Sequence, residues 1–354
     1  MSPESTRQSD RTMSANRWAD HYGSDANGLI GGFAFTPGQA ARAIGLEQCI
    51  GQLESWRAMP PHAAGFIWLH FNLSDASVRR TMKEHLGATP EFLDALDQGS
   101  RSTRIENAQQ ALVAVVNDVA YEFAFDPSEI ATLWIQVQPH LVITARTHPL
   151  RSVDRLRQSV RQGQVFGSTV AMLTELMQDQ GRVLEHIVRE ASDRVDAIED
   201  GLLSGRLAHR RSDLSRLRRV LVRLERLLAP EPGALFRLMR HPPQWVSAED
   251  LEELRQTSDE MALVINDLAG LKERIKLLQE EIAAQAAEES NRSLYALTAM
   301  TVLALPINLM AGLMGMNVGG IPFAEDSRGF WMVAGGVLSV TSLAALWFFS
   351  RRRR

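Results

Sequence analysis

The sequence predicts an α/β cytoplasmic domain, a long helical stalk and two C-terminal transmembrane helices. Three observations carry this. Residues 294–314 and 330–349 are uncharged, strongly apolar runs, each close to the ~20 residues a helix needs to cross a bilayer. Between 28 and 147 strand-like runs alternate with helical ones, and beyond that only helical periodicity remains. From Ser247 no proline interrupts the chain until Pro306, so one helix is expected to pass from the polar part into the first span.

In order, residues 1–27 mix Ser, Asp, Asn and Arg without periodicity and read as a flexible N-terminus. They hold no apolar run, so no cleaved leader is expected. In the α/β domain, 28–147, residues 29–36 read as a strand and 65–71, with Phe66, Ile67, Trp68 and Leu69, as a buried one. A helix starting at Ser74-Asp75 should end at Gly87, with a short helix at 90–97 after it. Strands follow at 101–107, 111–116 and 133–137, the last partnered by 140–145 across Gln138-Pro139.

Residues 148–246 form a helical hairpin region. A short helix at 153–161 precedes a long amphipathic one at 167–203, with Leu173, Leu176, Val183, Leu184, Ile187, Val195 and Ile198 near helical spacing. A further helix at 212–228 should break or bend at Pro230-Glu231-Pro232-Gly233. The stalk, 247–314, opens on the cap-like Ser247-Ala248-Glu249-Asp250. From there to Pro306 it would be on the order of 90 Å long. Its apolar seam is Met261, Val264, Leu268, Leu271, Ile275, Leu278 and Ile282.

Composition suits a large polar part with a small membrane part: 354 residues, 45% hydrophobic, formal net charge −4. The single cysteine, Cys49, excludes an intrachain disulfide framework and a thiolate-rich zinc site. Eight arginines lie between 206 and 226. Interleaved Leu and Val at helical period make them a solvated helix face, so no nucleic-acid partner is expected. No phosphate-cradling Gly-rich loop, His-x-x-x-His pair or nucleophile elbow occurs, so an enzyme is not expected. His62, His70, His85, His140 and His148 are scattered about the α/β domain and read as structural or solvated. They are also the available imidazoles for zinc sensing, and no metal ligands are assigned.

The tail Arg351–Arg354 and Arg292 flank the spans, whereas the loop 315–329 sets Arg328 against Glu325 and Asp326. Both termini, including the basic tail 350–354, should therefore be cytoplasmic and the loop outside. In the first span Asn291, Thr298, Leu305 and Gly312 share heptad position a; Leu294, Thr301, Asn308 and Gly315 share d. Together they make one narrow polar stripe. In lipid such a stripe must face protein or water. Hydrogen bonds to the second span satisfy it in one reading. In the other, several copies surround an axis and Asn291, Leu294, Thr298, Thr301, Leu305 and Asn308 line a pore. Followed backwards, the stripe meets Glu280, Glu273 and Asp259, an acidic face that reads either as a cytoplasmic cation funnel or as ordinary solvated acids. A ring of Leu294 is the candidate apolar constriction. Pro306 frees the Val302 carbonyl and is either a structural kink or a hinge.

Gly315-Met316-Asn317 directly after a first span, then Val318-Gly319-Gly320-Ile321-Pro322, a short acidic loop, a second span and a basic tail resemble the CorA superfamily of divalent-cation transporters. Met314 and Val318, where magnesium-type members usually carry Tyr and a bulky residue, make the loop more similar to the zinc-transporting ZntB-like branch. The resemblance implies a homopentameric funnel in the cell inner membrane. A Gly315, Met316, Asn317 ring would sit at its periplasmic mouth, the Asn carboxamides holding the water shell of the ion. Glu325 and Asp326 would concentrate cations there. The cargo, also the possible regulatory ion, would be Zn2+, with Mg2+ or broad specificity as the alternative. Proton coupling is implied too. Neither span holds a carboxylate or imidazole, so proton carriers would lie in the funnel or the loop. A membrane-anchored metal sensor or scaffold without a pore is the reading of another class.

Overall fold

Seven strands make one mixed sheet in the first of the two units into which the chain divides, Met1–Leu277 and Leu278–Arg354. The computed structural model describes residues 24–25, 27–60, 64–99, 103–108, 111–120, 123–126, 129–203, 210–316 and 328–351. The chain enters through β1 (Leu29–Phe35), β2 (Arg42–Ala43), α1 (Leu46–Arg57) and β3 (Phe66–Asn72). Two short helices follow, α2 (Ser77–Glu84) and α3 (Pro90–Gln98), and then β4 (Arg104–Ala108), β5 (Ala111–Val119), β6 (Ile130–Gln138) and β7 (Leu141–Arg146). The spatial order is β2-β1-β3-β7-β6-β5-β4. Among the described residues only β3 and β7 pair in parallel; β4 to β7 form an antiparallel meander.

Burial on both faces explains the apolar runs that open β3 (66–69) and β5 (111–116). Ile67, Leu69, Phe71, Val113, Val115, Ile143 and Ala145 share a core with Cys49, Leu53, Val78, Met82 and Phe92 of α1 to α3. Turn chemistry fixes the helices. Gly87 (φ +69°) follows α2 in the left-handed region. Thr89 then caps α3, accepting the Phe92 N–H, with Pro90 in the first turn. At Gly65 a Cβ would stand 1.8 Å from the Phe35 carbonyl oxygen, so the β1–β3 approach admits no side chain there.

Two elements of this domain are absent from the sequence expectation. In α1 the apolar residues Leu46, Cys49, Ile50, Leu53 and Trp56 recur at helical spacing and pack on the core, a signal the sequence reading did not use, and the two residues of β2 are exposed. Beyond the sheet come α4 (Arg151–Arg161), α5 (Thr169–Leu203), α6 (Arg210–Leu228) and α7 (Pro230–Arg240). The Pro230-Glu231-Pro232-Gly233 stretch is a helix start: proline in the first turn forfeits no hydrogen bond.

The helix α8 (Ala248–Met314) is 67 residues long and contains Pro306. Its cap is reciprocal: Ser247 Oγ accepts the Asp250 N–H at 3.0 Å, and Asp250 Oδ2 accepts the Ser247 N–H at 3.3 Å. Met261, Leu268, Leu271 and Ile275 are buried as the seam requires, but its second position is Ile265, with Val264 half-buried. Within the first unit Lys272 Nζ meets the Glu225 carboxylate of α6 at 2.6 Å, and Arg274 pairs with Asp196 and Glu199 of α5. The second unit holds the rest of α8 and α9 (Gly329–Arg351).

Candidate functional site

The apolar end of α8 is long and uncharged enough to cross a membrane, and Gly329–Leu343 of α9 is a shorter apolar helix. Asn291, Leu294, Thr298, Thr301, Leu305 and Asn308 are all exposed in the single chain. So are Leu297, Met300 and Leu309 on other faces. Exposure therefore does not single out the stripe, and neither does its hydrogen bonding, since Ser293 Oγ bonds the Glu289 carbonyl at 3.1 Å and Thr341 Oγ1 of α9 the Val337 carbonyl at 2.8 Å in the same way as the stripe's threonines. Thr298 Oγ1 donates to the Leu294 carbonyl at 2.8 Å and Thr301 Oγ1 to the Leu297 carbonyl at 2.9 Å. Each hydroxyl proton is spent inside the helix, and what each threonine offers outward is an acceptor lone pair.

At the end of the span the Gly315 N–H still reaches the Ala311 carbonyl at 2.9 Å, and Met316 is exposed. Gly315 is not in the left-handed region, so the turn does not draw on glycine's positive φ. Glycine supplies room instead: a Cβ would stand 3.1 Å from the Ala311 carbonyl oxygen. Asn317, Val318 to Pro322, Glu325 and Asp326 lie outside the described residues, as do His62 and the last three arginines.

Asp259, Glu273 and Glu280 are exposed on α8. Glu273 is not a free acid: Lys276 Nζ donates to it at 2.8 Å, and that hydrogen bond and charge hold its carboxyl below the usual range. Arg216, Arg219, Arg223 and Arg226 are exposed on one side of α6, as a solvated face requires.

The histidines divide by environment. His85 and His148 are exposed. His140 holds the Gly65 and Met59 carbonyls with its two ring nitrogens, at 3.0 and 3.2 Å. His70 is fully buried; its Nε2 accepts from Arg146 Nε at 3.0 Å and its Nδ1 contacts Thr144 Oγ1 at 2.8 Å. Burial first, then the charges of Arg146 and Arg157, keep it well below the ordinary imidazole range. It is a neutral structural group. Burial pushes the Cys49 thiol up to about 12, which leaves it inert. Among the described residues no group of three or more His, Cys, Asp or Glu could hold a metal ion.

Sequence reasoning missed a buried polar seam in the first unit. Asp118 Oδ2 accepts the Ser152 N–H at 2.8 Å and Oδ1 accepts the Ser152 hydroxyl at 3.0 Å, so β5 caps α4 from outside the helix. Beside it Glu231, at 0% exposure, sits among Thr103, Asn117 and Gln180.

A family model described as CorA-like Mg2+ transporter protein matches residues 63–354. The divalent cation transporter CmaX of Pseudomonas aeruginosa is 25% identical over 338 residues, covering 93% of this chain and 97% of that protein. The zinc transport protein ZntB of Yersinia pseudotuberculosis is 22% identical over 287 residues, covering 81% of this chain and 87% of that one. Among solved structures, full-length CmaX superposes with a TM-score of 0.75 at 24% identity, over 94% of this chain and all (100%) of that one. The complete CorA magnesium transporter of Methanocaldococcus jannaschii gives 0.70 at 18% identity, over 91% and 97%. At these identities the structures speak for a common fold.

Proposed function

Since the chain belongs to the CorA-like Mg2+ transporter family, a family of divalent-cation transporters and not of enzymes, we propose that it moves hydrated zinc across the inner membrane through a pore on the axis of a homopentamer. The observation that carries the pore reading is the outward acceptor row on α8. A hydrated dication presents O–H donors on all sides. Thr298 and Thr301, with their own protons bound to the helix, answer with lone pairs, as a carboxamide oxygen of Asn308 can. No carboxylate or imidazole stands in the span to replace the ion's water.

In this reading α9 is the second span, both termini are cytoplasmic, and Gly315, Met316 and Asn317 ring the outer mouth. Glu325 and Asp326 concentrate cations outside, Asp259 and Glu280 inside. Zinc is favoured by Met314 and Val318 at the loop and by the ZntB relatives. Proton coupling is part of the same reading. The family's own description favours magnesium as the competing cargo.

The test is metal uptake into proteoliposomes holding the full chain, with and without an inward proton gradient, beside Asn317→Ala. Zinc entry that rises with the gradient and falls in the variant supports the proposal. Magnesium entry indifferent to protons replaces it with a magnesium channel. No flux of either ion overturns transport in favour of a membrane-anchored sensor.

A further inference from the structure

Glu231 lies in the first turn of α7, fully buried, where that helix meets the sheet. Its partners come from three other segments. Gln180 Nε2 of α5 lies 3.2 and 3.0 Å from the two carboxyl oxygens. Thr103 Oγ1, ahead of β4, and the Asn117 N–H of β5 are both at 3.4 Å. Each donor is weakly placed or shared. Gln180 Nε2 is closer to the Asn117 carbonyl, at 2.5 Å, and the Thr103 hydroxyl is closer to the Leu227 carbonyl of α6, at 2.7 Å. Asn117 Nδ2 is spent on Thr103 Oγ1 at 2.9 Å, and Thr132 of β6 donates to Asn117 Oδ1 at 3.1 Å.

All these partners are neutral, and what reaches the carboxyl is two N–H groups and one hydroxyl, each at 3.0 Å or beyond. The charged group bearing on Glu231 is Asp118, a buried acid on β5 that is itself committed to Ser152 of α4. Among the described residues no ion pair reaches Glu231. An ionised carboxylate at this spot has lost its water without gaining a cation. A protonated one avoids that cost, and the Thr103 hydroxyl oxygen is the neighbour able to accept its O–H.

We propose that Glu231 is a proton-binding site that latches α7 to the sheet when protonated and loosens that junction when it ionises. Burial pushes its carboxyl up to about 8, against the hydrogen bonds from Asn117, Gln180 and Thr103, which sets the change in the cytoplasmic pH range. The latch has a route to the stalk within the first unit. Ser258 Oγ of α8 faces the Pro232 carbonyl at 3.4 Å, and Lys272 of α8 pairs with Glu225 of α6. The consequence for metal flux rests on the transport reading above; the latch itself does not.

Hydrogen exchange of the full chain in detergent tests it, followed from pH 6 to pH 9 and corrected for the intrinsic exchange rate. Protection across residues 227–240 should fall by up to about tenfold per pH unit to near pH 8 and then level off. In Glu231→Gln, a fixed mimic of the protonated acid, it should stay flat. Wild-type protection that does not change over this range overturns the latch without recourse to any variant. So does a pH dependence that survives in Glu231→Gln. In proteoliposomes the variant should flatten the pH profile of metal entry. Absence of all flux there tells against transport, while the exchange data still judge the latch.

Discussion

Thr301→Val distinguishes a stripe that faces ions from one that merely packs. Valine keeps the shape and removes the hydroxyl. Inside the helix the loss is small, because the bond to the Leu297 carbonyl at 2.9 Å is of the kind that slightly bends helices and adds little to their stability. Outside, the variant removes the acceptor that each subunit offers to the water shell of a passing ion. One such hydrogen bond is worth about 1 kcal/mol net, which is about fivefold in rate. Several subunits touching the same shell would multiply that factor. Thr301→Ser keeps the hydroxyl and should stay within about twofold of wild type. Val302→Thr adds a hydroxyl beside the stripe, at an exposed position, and should change nothing. Stopped-flow uptake with an entrapped metal-sensitive dye reads all three, with size-exclusion profiles confirming the assembly. Wild-type flux in Thr301→Val, in a preparation where Asn317→Ala is impaired, would refute the lining role.

Two stability predictions follow from the first unit. Burial raises Asp118 from 3.8 to about 6, so the folded chain holds that proton more tightly than the unfolded one. The contribution is fully present below the unfolded value of 3.8 and is lost as pH rises through about 6; a separation of about two pH units is worth about 3 kcal/mol. Thermal unfolding of Asp118→Asn at pH 4 and pH 7 should show this slope removed, with part of the α4 cap kept through the amide oxygen. Leu268→Ala, at a position with 0% exposure on the α8 seam, should cost about 2–5 kcal/mol. Leu263→Ala, 65% exposed, should stay within about 0.5 kcal/mol by the same assay.

Much of the fold was legible because it repeats over short distances. The buried strand β3, the Gly87 stop, the helix start at Pro90 and the reciprocal Ser247–Asp250 cap are each written in a few consecutive residues. The reading was incomplete elsewhere. It passed over α1 although Leu46, Cys49, Ile50, Leu53 and Trp56 recur there at helical spacing. At the Pro230 stretch the expected break is present, α6 ending at Leu228, and what the reading lacked is the new helix that starts at Pro230 and packs against β4. The exchange of Val264 for Ile265 on the seam is a drift of one residue between a heptad template and the packed helix. The Glu231 cluster was invisible for the opposite reason. Its members lie 14 to 128 residues apart, and nothing in the spacing of Thr103, Asn117, Gln180 and Glu231 marks them as neighbours.

The stripe is a reading of the sequence alone, and in the proposed transporter its chemistry limits what it can select. Its polar members, Asn291, Thr298, Thr301 and Asn308, are neutral oxygen acceptors. Such groups hold the water around an ion but do not compete with it for the metal, and they lack the nitrogen or sulfur donors that separate zinc from harder dications. A pathway built from them reads charge and hydrated size. In the proposed transporter any preference for zinc must therefore come from residues outside the stripe, and the exposed acids Asp259 and Glu280 contribute attraction and not choice. The proposal thus assigns selectivity to Gly315, Met316 and Asn317 at the mouth and treats the span as a conduit whose rate and not its preference should respond to Thr301→Val.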